Sequence, residues 1–184
     1  MSENHEKIRK TVLCSLFAAL IAVGAFIKIP VPLVPFTLQF LFTTLAGLLL
    51  GSKLGFTAVM SYIAVGLAGI PVFASGGGIS YIFQPSFGYL IGFAVGALVT
   101  GKITESFKQP SLKILMLANF AGLLTVYAVG MVYYALISNF YLGNPIGLWP
   151  LFLYCFILAV PGDIVLCVLC AYIGKSLIPV LRKM

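Results

Sequence analysis

The chain alternates long apolar runs with short segments where charge, proline and glycine collect. Runs close to the ~20 residues needed to cross a bilayer fall at 11–29, 36–52, 54–70, 87–107, 112–138 and 149–178. They predict an all-α, polytopic membrane protein of about six transmembrane helices. Residues 1–184 are expected to form one integral membrane domain with no soluble module. Residues 28–35 interrupt the pattern with three prolines, which prevent a helix and favour an extended path. Residues 69–89 are too apolar for an ordinary solvated loop and too broken by glycine and proline for a helix. Irregular backbone at membrane depth survives where protein covers it or where it lines a cavity. A re-entrant or capping loop over an extracellular site is therefore expected here. Residues 141–149 carry turn chemistry and an interfacial tryptophan, Trp149.

Composition agrees: 61% of residues are hydrophobic and 8% charged, against about 25% charged in soluble domains. The net charge of +7 would suit nucleic acid if it formed a patch, but the basic residues are scattered at span ends and read as topology signals. A cytoplasmic N-terminus places Lys7, Arg9, Lys10, Lys53, Lys102, Lys108, Lys113, Lys175, Arg182 and Lys183 inside. Only Lys28, of eleven basic residues, falls near the outside. The asymmetry predicts an even number of spans with both termini cytoplasmic. The basic start and apolar run have the form of a signal peptide, but no small-residue cleavage site follows, so the run is read as the first membrane helix.

Asp163 alone among four acidic residues lies deep in an apolar stretch. A carboxylate in hydrocarbon costs on the order of a few kcal/mol, so it is expected to face a cavity and bind something there. The competing reading is a cap on a broken membrane helix, since Pro161-Gly162 suits a first turn and an acid there favours the helix dipole. At ~1.5 Å per residue, Asp163 stands about 18 Å from Lys175, in the outer half of the membrane beneath the irregular connections. Gln39 belongs to the same layer and needs a partner, a ligand or another helix. Gln84 and Tyr89 flank the exit of the capping segment. Asn119 and Tyr127 are candidates to point inward too, but helix–helix bonding accounts for them more readily. Gly76, Gly77 and Gly78 form either an anion-holding nest or a flexible loop. In the first span, Ser15/Ala19 and Ala18/Ala22 have the small-xxx-small spacing of close helix packing, within the chain or against a partner.

Other features carry less. Gly174-Lys175-Ser176 lacks the upstream glycine of a phosphate loop, with Leu169 in its place, and Tyr81 ends any dinucleotide fingerprint after Gly76. Cys14, Cys155, Cys167 and Cys170 sit in apolar segments and are read as packing residues, His5 belongs to a polar tail, and Glu105 is read as a solvated interface charge. No catalytic constellation or metal site is expected, and one membrane Asp does not make an enzyme.

The 34–39 segment, Gly66-Leu67-Ala68-Gly69-Ile70-Pro71-Val72-Phe73, the Gly77-Gly78 loop running into 85–93, and Pro161-Gly162-Asp163 occur in order. Together they resemble the BioY family, the biotin-specific S components of energy-coupling factor (ECF) transporters. The resemblance implies a biotin-binding subunit in a bacterial or archaeal cytoplasmic membrane. It would work with a separate transmembrane coupling protein and two cytoplasmic ATPases that use ATP, with no cofactor of its own and no nucleic acid partner. It makes the first-span stripe of Ser15, Ala18, Ala19 and Ala22 the docking surface. It also makes Asp163, Gln39 and Tyr89 ligand contacts, with Gln84, Gly77 and Gly78 as a lid. The fused ring of biotin would suit Phe73, Tyr81, Tyr89 or Trp149. The chain departs from the family in carrying Leu166 where many members have Lys, and Gly76 where a basic residue is common. It also reads Gln84-Pro85-Ser86-Phe87-Gly88-Tyr89 for Gly-Pro-Thr/Ser-Gly-Gly-Tyr. Three readings follow: the glycine loop holds the ligand carboxylate, Lys28 holds it, or the substrate is a relative such as lipoate or dethiobiotin. From other classes, a solitary secondary transporter and a membrane enzyme stay as alternatives.

Overall fold

The structure is a computed structural model that describes residues 3–29 and 34–183. In chain order it contains α1 (Glu3–Phe26), β1 (Lys28–Ile29), β2 (Phe36–Thr37), α2 (Gln39–Leu50), α3 (Ser52–Leu67), a 3-10 turn (Ile79–Phe83), α4 (Phe87–Glu105) and α5 (Leu112–Leu136). A π-helical stretch (Ile137–Tyr141) extends α5, and α6 (Leu148–Phe152), a second π-helical stretch (Leu153–Ile157) and α7 (Val160–Lys183) complete the chain. Four helical runs are long and apolar enough to cross a membrane: Glu3–Phe26, Phe87–Glu105, Leu112–Tyr141 and Leu148–Leu181. The helices α2 and α3 are apolar but shorter. Exposed apolar side chains such as Leu16 and Val23 on α1, Leu117 and Leu124 on α5, and Val165 and Leu169 on α7 give the bundle a surface suited to lipid.

Several sequence expectations shift. α1 starts at Glu3, well before the apolar run, where Glu3–Lys7 (2.8 Å) and Glu6–Lys10 ion pairs at i,i+4 support an exposed helical extension that includes His5. The last span is not one helix: regular bonding gives way to the π stretch and a turn at Leu158 and Ala159 before α7 begins. The segment 69–89, read as too broken for a helix, contains the 3-10 turn, and Pro30 to Leu33 of the proline segment lie outside the described residues. Flanking them, Lys28–Ile29 pairs antiparallel with Phe36–Thr37. Glu105 is exposed as expected, yet it is not merely solvated. Its carboxylate accepts from the backbone N–H (2.9 Å) and hydroxyl (2.7 Å) of Ser52, closing the open first turn of α3. Gly51, with φ +88°, turns α2 directly into α3 at that point.

The core is built on backbone approach. Gly88, Gly92 and Gly96 repeat every four residues along α4 and face α5. A Cβ at Gly92 would lie 2.8 Å from the Val126 carbonyl oxygen, and one at Gly96 would lie 2.7 Å from the Val126 side chain. Thr100 adds a hydroxyl bond to the Ala118 carbonyl at 3.1 Å. The same device joins α3 to α2, where a Cβ added at Gly55 would lie 2.9 Å from the Gly47 backbone, and α2 to α4, where one added at Gly47 would meet the Ala97 carbonyl. The four cysteines are buried and unpaired, and Asn119 bonds the Cys167 carbonyl across α5 and α7 (2.8 Å).

Candidate functional site

At the end of the bundle that carries the β1–β2 hairpin, a pocket opens between the hairpin, the start of α2, the segment after α3, the starts of α4 and α7, and the middle of α5. The free space inside it is about 60 Å³, room for a few water molecules, and beyond that it opens directly to the surroundings at its mouth. Phe93, Val126, Tyr127 and Asp163 are buried at its floor, while Val34, Pro35, Ala74 and Ser75 are half-buried or exposed at its rim.

Each floor residue has a local cause. Asp163 sits in the first turn of α7, and the glycine before it clears space for Phe36 of β2: a Cβ at Gly162 would lie 2.6 Å from that ring. The Asp163 carboxylate accepts a hydrogen bond from the Tyr127 hydroxyl of α5, so the acid is held across the pocket. A carboxylate has room for about four hydrogen bonds, and Tyr127 takes one. Tyr89 lies flat against α5 because Gly130 has no side chain (an added Cβ would lie 2.7 Å from the ring), and its hydroxyl donates to the Cys155 carbonyl (3.2 Å). Tyr89 and Tyr127 meet edge to face at 6.0 Å. Gln39 opens α2, accepts from the Thr37 hydroxyl (3.1 Å) and donates to Tyr62 (2.8 Å), which donates to the Val72 carbonyl (3.0 Å). That relay ties the hairpin to the segment after α3 and leaves one Gln39 amide hydrogen for a ligand.

Asp163, Gln39 and Tyr89 therefore line one cavity, together with Tyr81. Gln84, Gly77 and Gly78 are not among its lining residues. The glycine loop folds back on α3: Gly78 N–H donates to the Gly66 carbonyl (2.8 Å), Gly76 N–H to that of Phe73 (3.2 Å), and Phe73 packs on Gly66. With two of three amides engaged, the loop does not form the open anion nest considered from sequence. Phe73 stands behind Tyr81, with ring centroids 4.5 Å apart, and Trp149 faces outward with Leu148 and Phe152 along a separate apolar groove. Sequence reasoning favoured helix–helix bonding for Tyr127, read Cys155 as packing and passed over Tyr62 and Tyr154. An aromatic or cysteine in an apolar helix carries no mark of the face it uses, although Gly130, three residues after Tyr127, hinted at a side chain lying across α5. On α1, Ser15 and Ala19 are exposed, whereas Ala18 and Ala22 are half-buried against the core. Lys28 reaches from the hairpin to donate to the Ala74 carbonyl at 2.8 Å. Among the described residues, no cluster of three or more His, Cys, Asp or Glu could hold a metal ion.

A polytopic helical bundle with a half-open, mostly apolar pocket that holds a buried acid under irregular segments has the form of a membrane subunit that captures small molecules. The chain belongs to the BioY family, whose sequence model matches residues 1–183. It is 46% identical to a probable biotin transporter BioY of Lysinibacillus sphaericus over 94% of this chain and 88% of that one. It is 42% identical to the biotin transporter BioY of Thermotoga maritima over 73% and 76%. A crystal structure of the S-component for biotin from an ECF-type ABC transporter superposes with a TM-score of 0.80 and 26% identity, covering all of this chain and 95% of that one.

Proposed function

We propose that this chain is the substrate-binding S component of an ECF-type importer, capturing biotin at the hairpin end and delivering it with a separate coupling protein and two ATPases. The single observation that carries the reading is a buried carboxylate braced by Tyr127 in the wall of a half-open pocket, in a chain of this family. The biotin ureido group offers two N–H donors and a carbonyl acceptor, matching the open sites on Asp163 and the remaining Gln39 amide hydrogen. Tyr81 and Tyr89 offer faces for the apolar fused ring. The hairpin end is then the outer end and both termini are cytoplasmic, in keeping with the basic residues. Gln84, Gly77 and Gly78 take the role of a support that sets the cavity wall.

Equilibrium binding of biotin to the purified chain in detergent, with lipoate and dethiobiotin as competitors, tests the ligand. One-to-one biotin binding that both competitors displace poorly is expected, and a folded protein indifferent to biotin would sink the assignment. Uptake is expected to require the coupling protein and ATP hydrolysis. The exposed Ser15/Ala19 edge of α1, backed by Ala18 and Ala22, is the proposed docking face. Ala19→Trp is expected to abolish uptake by the reconstituted complex while leaving biotin affinity of the isolated chain unchanged.

A further inference from the structure

We propose that Lys28 selects for a ligand bearing a carboxylate, meeting that group at the mouth of the pocket while Asp163 holds the opposite end of the molecule. This rests on the pocket being the biotin site. The residues lining the pocket supply one formal charge, the carboxylate of Asp163, and no lysine or arginine. An anionic group driven to the buried floor would stand beside a like charge with no cation to offset it, an expensive arrangement. The same anion left at the half-exposed rim avoids that repulsion and stays close to water. The chemistry of the walls therefore orients a ligand with one polar, N–H-bearing end and one anionic end.

Lys28 is placed for the rim. It sits on β1 directly opposite Thr37, which lines the pocket, and its ammonium donates to the carbonyl of Ala74, also a wall residue. One of its three hydrogens is engaged there, and a four-carbon stem allows the head to turn inward. Exchanging a neutral carbonyl partner for a carboxylate replaces an ordinary hydrogen bond by a charge-assisted one. Two competing sources of positive potential are weak. The amides of Gly76 and Gly78 are already bonded to the Phe73 and Gly66 carbonyls. Other basic residues with a placed hydrogen bond sit at the opposite end, Arg9 on the Leu181 carbonyl and Lys175 on that of Pro110.

The test pairs a change in the ligand with a change in the protein. Biotin and its primary carboxamide are titrated into the wild-type chain, Lys28→Met and Lys28→Arg, each checked for cooperative thermal unfolding. The wild type is expected to prefer biotin by about fivefold, the size of a strong exposed ion pair, with the preference shrinking as salt rises. Lys28→Met is expected to bind both ligands with the affinity of the carboxamide, and Lys28→Arg to keep most of the preference. A wild type that binds both ligands equally, or a Lys28→Met chain with the preference intact, overturns the assignment of Lys28 and leaves the biotin site standing. A folded wild type that binds neither ligand overturns both.

Discussion

At the hairpin end, Thr37 bonds Gln39 and Gln39 bonds Tyr62, while Tyr127 bonds Asp163, side chain to side chain beside the pocket. At the opposite end, Glu105 is committed to the first turn of α3, and Arg9 and Lys175 to backbone carbonyls. Between them runs the α4–α5 contact, where glycines bring backbone against backbone. Polar groups at the end away from the hairpin bond mainly to backbone, whereas those at the hairpin end hold one another in place and keep hydrogen-bonding capacity in reserve. Stability and recognition are thus carried by separate stretches of the same helices. Tyr89 and Gly92 are three residues apart on the α5-facing side of α4, yet Tyr89 also lines the pocket whereas Gly92 meets only the helix seam.

Substitutions that strike one region and spare the other probe that separation. The largest effect is expected at Gly92→Leu, which forces a side chain into the Val126 carbonyl. Overpacking typically costs about 1–3 kcal/mol, and a backbone collision has no flexible atom to yield, so the folded, monodisperse protein seen by size-exclusion chromatography is expected to be lost. Asp163→Asn comes next, with biotin affinity falling at least about tenfold, some 1.4 kcal/mol, and a melting profile close to that of the wild type. An unchanged dissociation constant would return Asp163 to the role of a helix cap. Tyr127→Phe removes only the brace, and a loss of about 1 kcal/mol, or about fivefold in affinity, is expected by calorimetry. The smallest effect falls at Glu105→Ala, which costs about 1 kcal/mol of stability through the lost cap and leaves biotin affinity unaltered. A weakened ligand affinity in that variant would show that the two ends are coupled.

The order of helical segments was legible because apolar length is a property of the sequence itself, and Asp163 was legible because a lone acid in an apolar run demands a reason. Gly88, Gly92 and Gly96 were equally open to reading, at the spacing noticed only in α1. What stayed hidden depended on which way a residue faces. Tyr127 and Asn119 lie on one helix eight residues apart; one braces the pocket acid and the other bonds a carbonyl of α7. Only the packing of α7 against α5 separates their roles. The glycine loop misled for a similar reason. Its conformational freedom was evident, but its hydrogen bonds to Gly66 and Phe73 arise from the way Phe73 seats on α3.

The glycine seam has a further consequence, for where the pocket can change shape. Tyr89, Phe93, Val126 and Tyr127 form the pocket wall that belongs to α4 and α5, two helices whose backbones touch and leave no slack. A guest cannot enter by parting them. The opposite wall rests on less, two-residue strands and the Lys28 hydrogen bond to Ala74, so any reshaping of the pocket by a guest is expected there and not at the seam.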